Sequence, residues 1–592
     1  MTVTWTERLS KIFNHPSKFL IPLLFILNVV LVFPVFFPNL SEMGMWDESI
    51  YINSGRFLIE GNAWNRLPEF AWNPLTAFLY ALTYLPVRGT EFWLIHSCTI
   101  GRFIFFGLMW LSAYLVARQL SHLSHPLIMV ALLVISPALT YLLPNPSDAL
   151  FAAMSAFALW QVLIFYNEKK IKHLWLASLF VGLSALSRND GLILFLIFLL
   201  LSIFLSVPIK RIRTVFPACI LPFIIIVGGY VTLYGLITGK FELGIVKRTY
   251  LAFEQGQGFV YEKSPPDGQI DAWRLFGTPE ENQYSVISAI KRNPKAFLQR
   301  VQQTARTAPK KIYFMYGERA GIIILLLALM GTVEIVRKRL YLLFMILFLW
   351  ATHIFVYLLT FYRHTYFLLP YFVVFVFASV GLNFILYHMN KRRLYFWTLL
   401  LLGLTFLGVL SHRPNVFSVA LIFLTGLWII KIIVNRYQDY EAIKPVAIIL
   451  TICVLFLLKV GYPLPKFRDL GAAPDEKAVL FMKEHLAPGS FVFAESPGPI
   501  WVAKMHFRPL DFHLRGLNEK DIFNSIVSLN GKAVYVNNNL RYFKPDLVIK
   551  IKKLIGKGLE VGFRSENGEV EVLLVNRKAL PPQTCSMKCH HS

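Results

Sequence analysis

Residues 174–207 read LWLASLFVGLSALSRNDGLILFLIFLLLSIFLSV, two apolar runs joined by the four polar residues Ser187 to Asp190. A helix that crosses a hydrocarbon core of about 30 Å needs about 17–25 residues, most of them apolar. The second run, 191–207, has 17 residues, and the first, 174–186, is short at 13. With the polar join between them they predict a hairpin of membrane helices. Arg188 and Asp190 then lie at the join, where the chain leaves and re-enters the membrane.

The composition extends this interpretation to the whole chain. Of its 592 residues, 56% are hydrophobic and only 16% are charged, whereas soluble globular chains carry about 25% charged residues. Hydropathy predicts about thirteen spans in a polytopic α-helical membrane protein. No cleavage site follows the first run, so a secretory signal peptide is not expected. The predicted spans cover 20–37, 99–116, 126–143, 149–165, 174–186, 191–207, 215–237, 320–336, 340–361, 366–387, 394–410, 416–434 and 445–462.

The basic residues predict how these spans are oriented. Lys and Arg outnumber Asp and Glu by 59 to 34, and their clusters fall in the N-terminal segment and in alternate short loops. Such loops face the cytoplasm, which places the N-terminus inside and the C-terminus outside. Because the basic residues are scattered over short segments, they form no groove-sized patch, and nucleic-acid binding is not expected.

Three segments are predicted outside the membrane. The first outer loop, 38–98, contains WDESIYINSGRFLIEG and NPLTAFLYALTYLPV, which predict two helices at the membrane interface with one face in lipid. The second, 238–319, is polar and predicts a loop with a few short helices. The transmembrane module thus covers 1–462, with outer loops 38–98 and 238–319.

The third outer segment, 463–592, predicts a small extracytoplasmic α/β domain. Helical patterns in PDEKAVLFMKEHLAPG, NEKDIFNSIVSLNG and KPDLVIKIKKLIGKG alternate with strands in SFVFAE and KAVYVNN. LEVGFRS and EVEVLLVNR predict a hairpin around Glu566-Asn567-Gly568. The segment contains no nucleotide-binding loop and no nucleophile elbow.

Charged and polar residues gather on the outer side of the predicted membrane. Asp47 and Glu48 stand side by side in the first outer loop, where a solvated helix start is the simpler explanation for a single acidic pair. Other charges at the outer ends of spans favour a functional site instead. These residues are Arg102 in the second span, Asp148 in LLPNPSDALF, Arg188 and Asp190 in SRND, and Tyr362, Arg363 and His364 in TFYRHTYFLLPYF.

Carboxylates beside arginines at the outer leaflet suit one kind of chemistry. A carboxylate takes a proton from an acceptor hydroxyl or amine as it attacks. Arginines hold a phosphate and stabilise it as it leaves. A sugar linked through phosphate to a polyprenyl lipid needs both, because its tail lies in the bilayer and its phosphate at headgroup level.

The same motifs resemble the GT-C superfamily of membrane glycosyltransferases. The Asp-Glu pair in a long first outer loop, NPL at an interfacial helix, IGRF in the second span, ALSRNDGLILFL and YRHTYFLLPYF carry the resemblance. It covers 1–462, and the plan with an outer C-terminal domain is most similar to the branch with the lipid A aminoarabinose transferases and protein O-mannosyltransferases. The chain departs from the family at His364, where an aromatic residue is usual.

The resemblance implies an inverting transfer from a polyprenyl- or dolichyl-phosphate sugar to a lipid, glycan or protein acceptor, in a prokaryotic plasma membrane. It places the catalytic base on Asp47 and a supporting acid on Glu48. Arg102, Arg188 and Arg363 fall on positions expected near the donor phosphate. Asp148, Asp190, Tyr362 and His364 are supporting residues.

Other interpretations stay open for the chain and for single residues. A polytopic transporter or lipid flippase uses midplane polar residues, broken helices and inverted repeats. A noncatalytic scaffold of GT-C type is a third possibility. Arg188 also fits a snorkelling arginine, and His364 a packed histidine. Tyr362 and Tyr366 also fit the aromatic belt.

No metal or other cofactor is expected. The outer acids form no His/Asp cluster at ligand spacing, and the tail CSMKCHHS lacks a second ligand pair at zinc-finger spacing. A lipid monophosphate leaves with less charge than a pyrophosphate, so arginines can compensate it. The alternative is that Asp47, Glu48 and Asp148 converge on a divalent cation such as Mg²⁺.

Overall fold

The computed structural model describes residues 25, 26, 29, 35–37, 47–61, 73–124, 141–206, 212–239, 241, 245–261, 265–315, 319–355, 364–384, 474–510, 514 and 517–576. These residues are mostly helical, with one five-stranded sheet towards the C-terminus. The chain divides into two compact units. The first comprises Met1–Phe36, Ala63–Leu79 and Gly101–Phe467, and the second comprises Phe37–Asn62, Tyr80–Ile100 and Arg468–Ser592.

Fifteen helices lie between residues 47 and 383 in the described part of the chain. They are α1 Asp47–Glu60, α2 Pro74–Tyr84, α3 Trp93–Gln119, α4 Pro146–Glu168, α5 Lys172–Ser187, α6 Gly191–Ser206, α7 Ile212–Phe223, α8 Gly229–Thr238, α9 Ile245–Val260, α10 Pro265–Phe276, α11 Val286–Arg292, α12 Pro294–Met315, α13 Arg319–Arg337, α14 Tyr341–Ala351 and α15 Tyr371–Asn383. A π turn, Ile224–Gly228, joins α7 to α8, and short 3₁₀ turns cover Leu85–Val87, Thr352–Phe355 and His364–Leu368.

The predicted join of α5 and α6 is confirmed. Helix α5 ends because Arg188 has an extended backbone, with φ −154° and ψ 144°. Helix α6 begins at Gly191, and the backbone N–H of Leu194 donates to the carbonyl oxygen of Asp190 over 3.0 Å. Gly191 is required at this corner, because a side chain there would overlap the backbone of Ala185. The turn therefore holds Arg188 and Asp190 at one fixed place.

Three of the described helical segments are long and apolar enough to cross a membrane, namely Trp93–Gln119, Pro146–Glu168 and Arg213–Thr238. Shorter apolar segments cover Pro74–Val87, Gly191–Ser206, Tyr341–Ile354 and Tyr371–Asn383. The predicted spans 394–410, 416–434 and 445–462 lie outside the described residues, as do most of 20–37 and 126–143. The total of about thirteen spans therefore stays a prediction.

Helices α13 and α15 approach each other closely through glycine. A methyl group on Gly331 would overlap the carbonyl oxygen of Phe377, and one on Gly381 would overlap that of Leu327. Small residues at such crossings let helix backbones meet where lipid gives no hydrophobic driving force. This crossing orients α15, which begins directly after the turn that contains Tyr366.

The prediction of helices within 238–319 is confirmed, but the description of the segment as a loop with only short helices is wrong. This segment contains α9 to α12, and α12 alone has 22 residues. The four helices share a core that includes Tyr250, Phe253, Phe276 and Ala289. Tyr250 and Phe253 are three residues apart and share one face of α9. The helical spacing of such apolar residues is hard to see in the sequence, because each helix buries only a narrow stripe of its surface and most of the surrounding residues are polar.

The sheet of the second unit has the strand order β2-β1-β3-β5-β4. Its strands are β1 Phe491–Ala494, β2 His506–Pro509, β3 Gly531–Val536, β4 Leu559–Arg564 and β5 Glu571–Val575. β1 pairs in parallel with β2 and β3, whereas β5 pairs antiparallel with β3 and β4. The predicted hairpin is confirmed as β4 and β5. The short strand β2, with the sequence HFRP, was not predicted.

Five helices accompany these strands, namely α16 Pro474–His485, α17 Pro497–Val502, α18 Glu519–Ser528, α19 Asn538–Phe543 and α20 Pro545–Lys552. Phe493, Val534 and Leu573 from three strands pack with Ile526 and Ile551 of α18 and α20. Helix α17, which follows β1, contacts α1 within the same unit. The α/β part of the chain therefore touches the helix that begins with Asp47 and Glu48.

Candidate active site

Helix α1 begins with the two adjacent acids Asp47 and Glu48. Glu48 is fully buried, and its Oε1 accepts a hydrogen bond from the hydroxyl of Tyr80 over 3.2 Å. Asp47 is partly exposed, and none of the described residues donates a hydrogen bond to its carboxylate. The pair therefore consists of one buried carboxylate that is held by a hydrogen bond and one carboxylate that is partly exposed. A merely solvated helix start does not explain the burial of Glu48.

The position of Glu48 depends on the close crossing of α1 and α2 at Gly55. A methyl group on Gly55 would lie 2.6 Å from the carbonyl carbon of Tyr80, well inside van der Waals contact. Glu48 and Gly55 are seven residues apart and therefore share one face of α1. Tyr80 thus contacts α1 at two points. Its backbone packs against Gly55, and its hydroxyl donates a hydrogen bond to Glu48.

The burial of α1 corrects one expectation. Residues Glu48, Ser49 and 51–55 are all buried, so this part of the helix is enclosed on every side. A helix that lies at the interface keeps one face in lipid and the other in water. For α1 that prediction is wrong, because its first two turns are covered by protein. The prediction that a helix forms here is confirmed.

A second network fixes the C-terminal end of α1. Arg56 pairs with Glu60 over 3.0 Å, and its guanidinium lies 4.9 Å from the centre of the Trp93 ring. The hydroxyl of Tyr84 donates to Glu60 over 2.5 Å. Both ends of α1 are thus bonded to the segment 80–93.

The first unit contains the predicted join residues, and the structure brings three of them together. The Arg188 Nη1 group donates to Asp148 Oδ1, and Arg188 Nε donates to Asp190 Oδ2 over 2.7 Å. Asp148 lies in the first turn of α4 and is 2% exposed. The guanidinium also lies 4.4 Å from the centre of the Tyr366 ring. We call Asp148, Arg188, Asp190 and Tyr366 the Arg188 cluster.

The Arg188 cluster fixes the orientation of the guanidinium. Two carboxylates and one aromatic face hold a planar group in one plane, which suits recognition of a phosphate by its geometry. The formal charges of Asp148, Arg188 and Asp190 sum to one negative charge.

Tyr366 is a neighbour of Arg188 that the sequence did not reveal. Its place in YRHTYFLLPYF fitted the aromatic belt, yet its ring faces Arg188, 178 positions earlier in the chain. The one available signal was that it follows the predicted site residue His364 by two positions. Only the tertiary contact separates a belt tyrosine from a cation–π partner.

The other predicted site residues have different positions. Arg102 in α3 is 2% exposed, and its Nη1 donates to the carbonyl oxygen of Val35. His364 begins a 3₁₀ turn, but its side chain lies outside the described part of the structure. Tyr362 and Arg363 lie wholly outside the described residues. Their assigned roles therefore stay predictions.

The helices of 238–319 contain a buried carboxyl that the sequence did not single out. Glu254 in α9 is 3% exposed, and the indole N–H of Trp273 in α10 donates to it over 2.5 Å. Burial, with a smaller contribution from the nearby Glu280, raises the pKa of Glu254 to about 7. Arg300 in α12 is also buried and donates to the carbonyl oxygen of Phe253 over 2.8 Å.

These helices contact the turn that contains Tyr366. Val260 at the end of α9 and Ala308 in α12 pack against Phe367, the residue that follows Tyr366. The segment 238–319 is therefore connected to the Arg188 cluster by direct packing. Among the described residues, no group of three or more His, Cys, Asp or Glu side chains could hold a metal ion. The absence of a metal requirement nevertheless stays a prediction.

No protein-family model and no curated protein sequence matches this chain. Among solved structures, it is similar to ArnT from Cupriavidus metallidurans in the apo state. The identity is 12%, the match covers 94% of this chain and 99% of that chain, and the TM-score is 0.49. ArnT bound to undecaprenyl phosphate gives the same identity and coverage with a TM-score of 0.47.

The chain is also similar to the archaeal oligosaccharyltransferase AglB from Archaeoglobus fulgidus, solved in complex with an inhibitory peptide and a dolichol-phosphate. The identity is 13%, the match covers 95% of this chain and 75% of that chain, and the TM-score is 0.48.

Proposed function

We propose that this protein is an inverting glycosyltransferase that moves a sugar from a polyprenyl- or dolichyl-phosphate donor to a lipid, glycan or protein acceptor. The observation that carries the proposal is the burial of Glu48 beside the partly exposed Asp47. A protein encloses a carboxylate only when its position matters, because removing the charge from water is costly. The motifs that resemble the GT-C superfamily support the same function.

In this proposal Asp47 is the general base. Its carboxylate takes the proton from the acceptor hydroxyl or amine as the acceptor atom attacks the anomeric carbon of the sugar. The bond between that carbon and the phosphate oxygen breaks, and its electron pair stays on the phosphate. Attack from the face opposite the phosphate inverts the configuration at the anomeric carbon.

Glu48 supports Asp47 rather than reacting itself. It is buried and already accepts a hydrogen bond from Tyr80, so it fastens the first turn of α1 to α2. We therefore assign Glu48 the role of holding the start of α1, and with it Asp47, in place.

The donor phosphate is assigned to Arg102, Arg188 and Arg363, with Asp148, Asp190, Tyr362 and His364 as supporting residues. For Arg188 this role is supported by the Arg188 cluster, which orients its guanidinium at the end of two apolar helices. Arginine can stabilise the negative charge that develops on a leaving phosphate. We propose no metal and no other cofactor for this reaction.

We further propose that the site faces the extracytoplasmic side of a prokaryotic plasma membrane. The N-terminus is then cytoplasmic, and the domain 463–592 lies outside, as the alternation of basic loops predicts. The sugar and the acceptor are identified by experiment. Purified protein in lipid nanodiscs is incubated with radiolabelled polyprenyl-phosphate sugars and a membrane extract, and the label is followed in lipid, glycan and protein fractions. A transferase labels one fraction, whereas a flippase leaves the label on the donor.

A further inference from the structure

Glu571, the first residue of β5, is a buried carboxylate with positive charge on several sides. Its side chain is 2% exposed. Its oxygens lie 3.2 Å from Arg541 Nη2, 3.4 Å from Lys552 Nζ and 2.8 Å from Arg564 Nε. We call these four residues, all of which belong to the second unit, the Glu571 cluster.

Three elements bring the cations to this one carboxylate. Arg541 lies in α19, and Lys552 is the last residue of α20. Arg564 ends β4 and stands directly opposite Glu571 in the register of the β4–β5 hairpin. Side chains that face each other on antiparallel strands lie on the same side of the sheet. The positions of the four charged groups are therefore set by regular secondary structure.

The Glu571 cluster holds more positive charge than one carboxylate balances. A buried carboxylate needs a partner charge, which a single cation can supply. Arginine and lysine are both charged at neutral pH, so three cations share one anion and two positive charges are in excess. Among the described residues, none of the three cations pairs with another acid. Glu566 in the adjacent hairpin turn pairs instead with Lys477 over 3.5 Å.

The three cations are accessible from solvent, although the carboxylate is not. The side chains of Arg541, Lys552 and Arg564 are 29%, 38% and 52% exposed. Arg564 approaches Glu571 with Nε, and its terminal nitrogens make no hydrogen bond to any described residue. Terminal nitrogens of a guanidinium can bind two oxygens of one phosphate. The surface of the Glu571 cluster therefore has room and donors for an anion.

The charge in excess indicates which class of anion fits. A phosphomonoester carries about −1.5 to −2 charges at pH 7 and presents three acceptor oxygens. It therefore matches both the two positive charges in excess and the presence of three cations. A phosphodiester or a carboxylate carries a single negative charge and would leave positive charge unbalanced.

We propose that the Glu571 cluster is a binding site for a phosphomonoester group. Arg564 and Lys552, the two most exposed cations, contact the phosphate oxygens, Arg541 adds its charge, and Glu571 holds the cations together. The same group occurs on soluble phosphates and on lipids whose headgroup is a phosphomonoester. Binding makes and breaks no covalent bond. The inference concerns the second unit and does not depend on the proposed transferase function.

The first test compares soluble probes, with full-length protein in nanodiscs of phosphatidylcholine. Methyl phosphate is a phosphomonoester, and dimethyl phosphate is the corresponding diester with one negative charge. Calorimetric titration should show that methyl phosphate binds more tightly by about tenfold or more, since its additional charge strengthens each hydrogen bond to the cations. Absence of methyl phosphate binding, or equal affinity for the two esters, overturns the inference.

A lipid probe distinguishes the two sources of the group. Dihexanoyl phosphatidic acid, used below its critical micelle concentration, carries the same phosphomonoester on a short lipid. Affinity within about twofold of that for methyl phosphate supports a site for soluble phosphates. Affinity greater by about tenfold or more supports a site for a lipid headgroup. Both results support the site only if the binding depends on the Glu571 cluster.

Two adjacent lysines provide matched variants for that dependence. Lys552→Gln and Lys553→Gln each remove one positive charge, but Lys553 pairs with Glu519 over 2.9 Å and not with Glu571. We expect Lys552→Gln to raise the Kd for methyl phosphate by about tenfold or more, and Lys553→Gln to change it by less than about twofold.

Arg564→Gln is the second variant of the site and should weaken methyl phosphate binding by at least as much as Lys552→Gln. A thermal unfolding curve identifies the variants that fold, and either site variant alone is sufficient for the comparison with Lys553→Gln. A Kd that is unchanged in the folded site variants places the bound phosphate elsewhere and overturns the inference. Equal weakening in the site variants and in Lys553→Gln indicates only general charge attraction and also overturns it.

Discussion

The hydroxyl of Tyr80 donates a hydrogen bond to the carboxylate of Glu48 over 3.2 Å, in the buried space between α1 and α2. The two residues are 32 positions apart, so this bond exists only because the helices cross at Gly55. The two adjacent acids therefore have different surroundings: Glu48 is buried beside Tyr80, and Asp47 is partly exposed. The first two predictions follow from this relationship.

Tyr80→Phe should destabilise the protein and slow transfer, because Glu48 loses the hydrogen bond from Tyr80 while remaining buried. Removing a hydrogen bond to a buried polar group costs about 1–3 kcal/mol. The thermal unfolding midpoint and the transfer rate measure the effect. Tyr114→Phe makes the same chemical change in α3 and serves as the control. If both variants unfold at the same temperature as wild type, the bond contributes nothing.

Gly55→Ala should disrupt the crossing of α1 and α2, since its methyl group would overlap backbone atoms of Tyr80 and Ala81. The matched control is Gly107→Ala in α3, where nothing lies within 4 Å of the added methyl group. Alanine is favoured over glycine in a helix interior by about 0.5–1 kcal/mol, so the control should be neutral or slightly stabilising. Equal behaviour of the two variants contradicts the close crossing.

Arg188→Lys should weaken donor use more than acceptor use. Lysine keeps the charge but cannot make the two directed bonds to Asp148 and Asp190. We expect the donor KM to rise about tenfold or more, with little change in the acceptor KM. Arg292→Lys, at an exposed ion pair with Glu281 in the 238–319 segment, is the control. A selective effect on the acceptor KM means that the role of Arg188 is misassigned.

Glu254 makes the stability of the protein depend on pH. Its pKa is raised from an ordinary value near 4.5 to about 7, chiefly by burial. The folded state therefore holds this proton more tightly than the unfolded state. The resulting stabilisation is complete below about pH 4.5 and is lost as the pH rises through about 7.

Glu254→Gln tests this sign directly. An uncharged amide keeps the shape of the side chain and removes the titration. The thermal unfolding midpoint of the wild-type protein should decrease as the pH is raised from about 5 to 8. In the variant this decrease should be much smaller. Glu560→Gln, on a strand of the second unit, is the control for a carboxylate outside this segment. An identical pH profile in wild type and Glu254→Gln contradicts a raised pKa.

Local patterns in the sequence predicted those elements that depend on nearby residues. The polar join 187–190 between two apolar runs predicted α5, α6 and the corner that holds Arg188. Alternation and turn chemistry around Asn567-Gly568 predicted the hairpin of β4 and β5. In each case the signal lies within a few residues of the structure that it specifies.

Features that depend on contacts between residues distant in the chain could not be predicted from the sequence. The burial of Glu48 depends on Tyr80, and the role of Tyr366 depends on a guanidinium far away in the chain. The lengths of helices α9 to α12 were underestimated, because their buried stripes are narrow and include polar residues such as Glu254.

The most direct test of the proposed function is sugar transfer by Asp47→Asn, which keeps the shape of the side chain and removes its basicity. Transfer of label from a radiolabelled polyprenyl-phosphate sugar is measured for wild type and for the variant, with an unfolding curve to confirm that both are folded. If Asp47 is the general base, the initial rate falls by at least about 10²-fold while donor binding is retained. A folded Asp47→Asn protein that transfers sugar at nearly the wild-type rate would contradict this role.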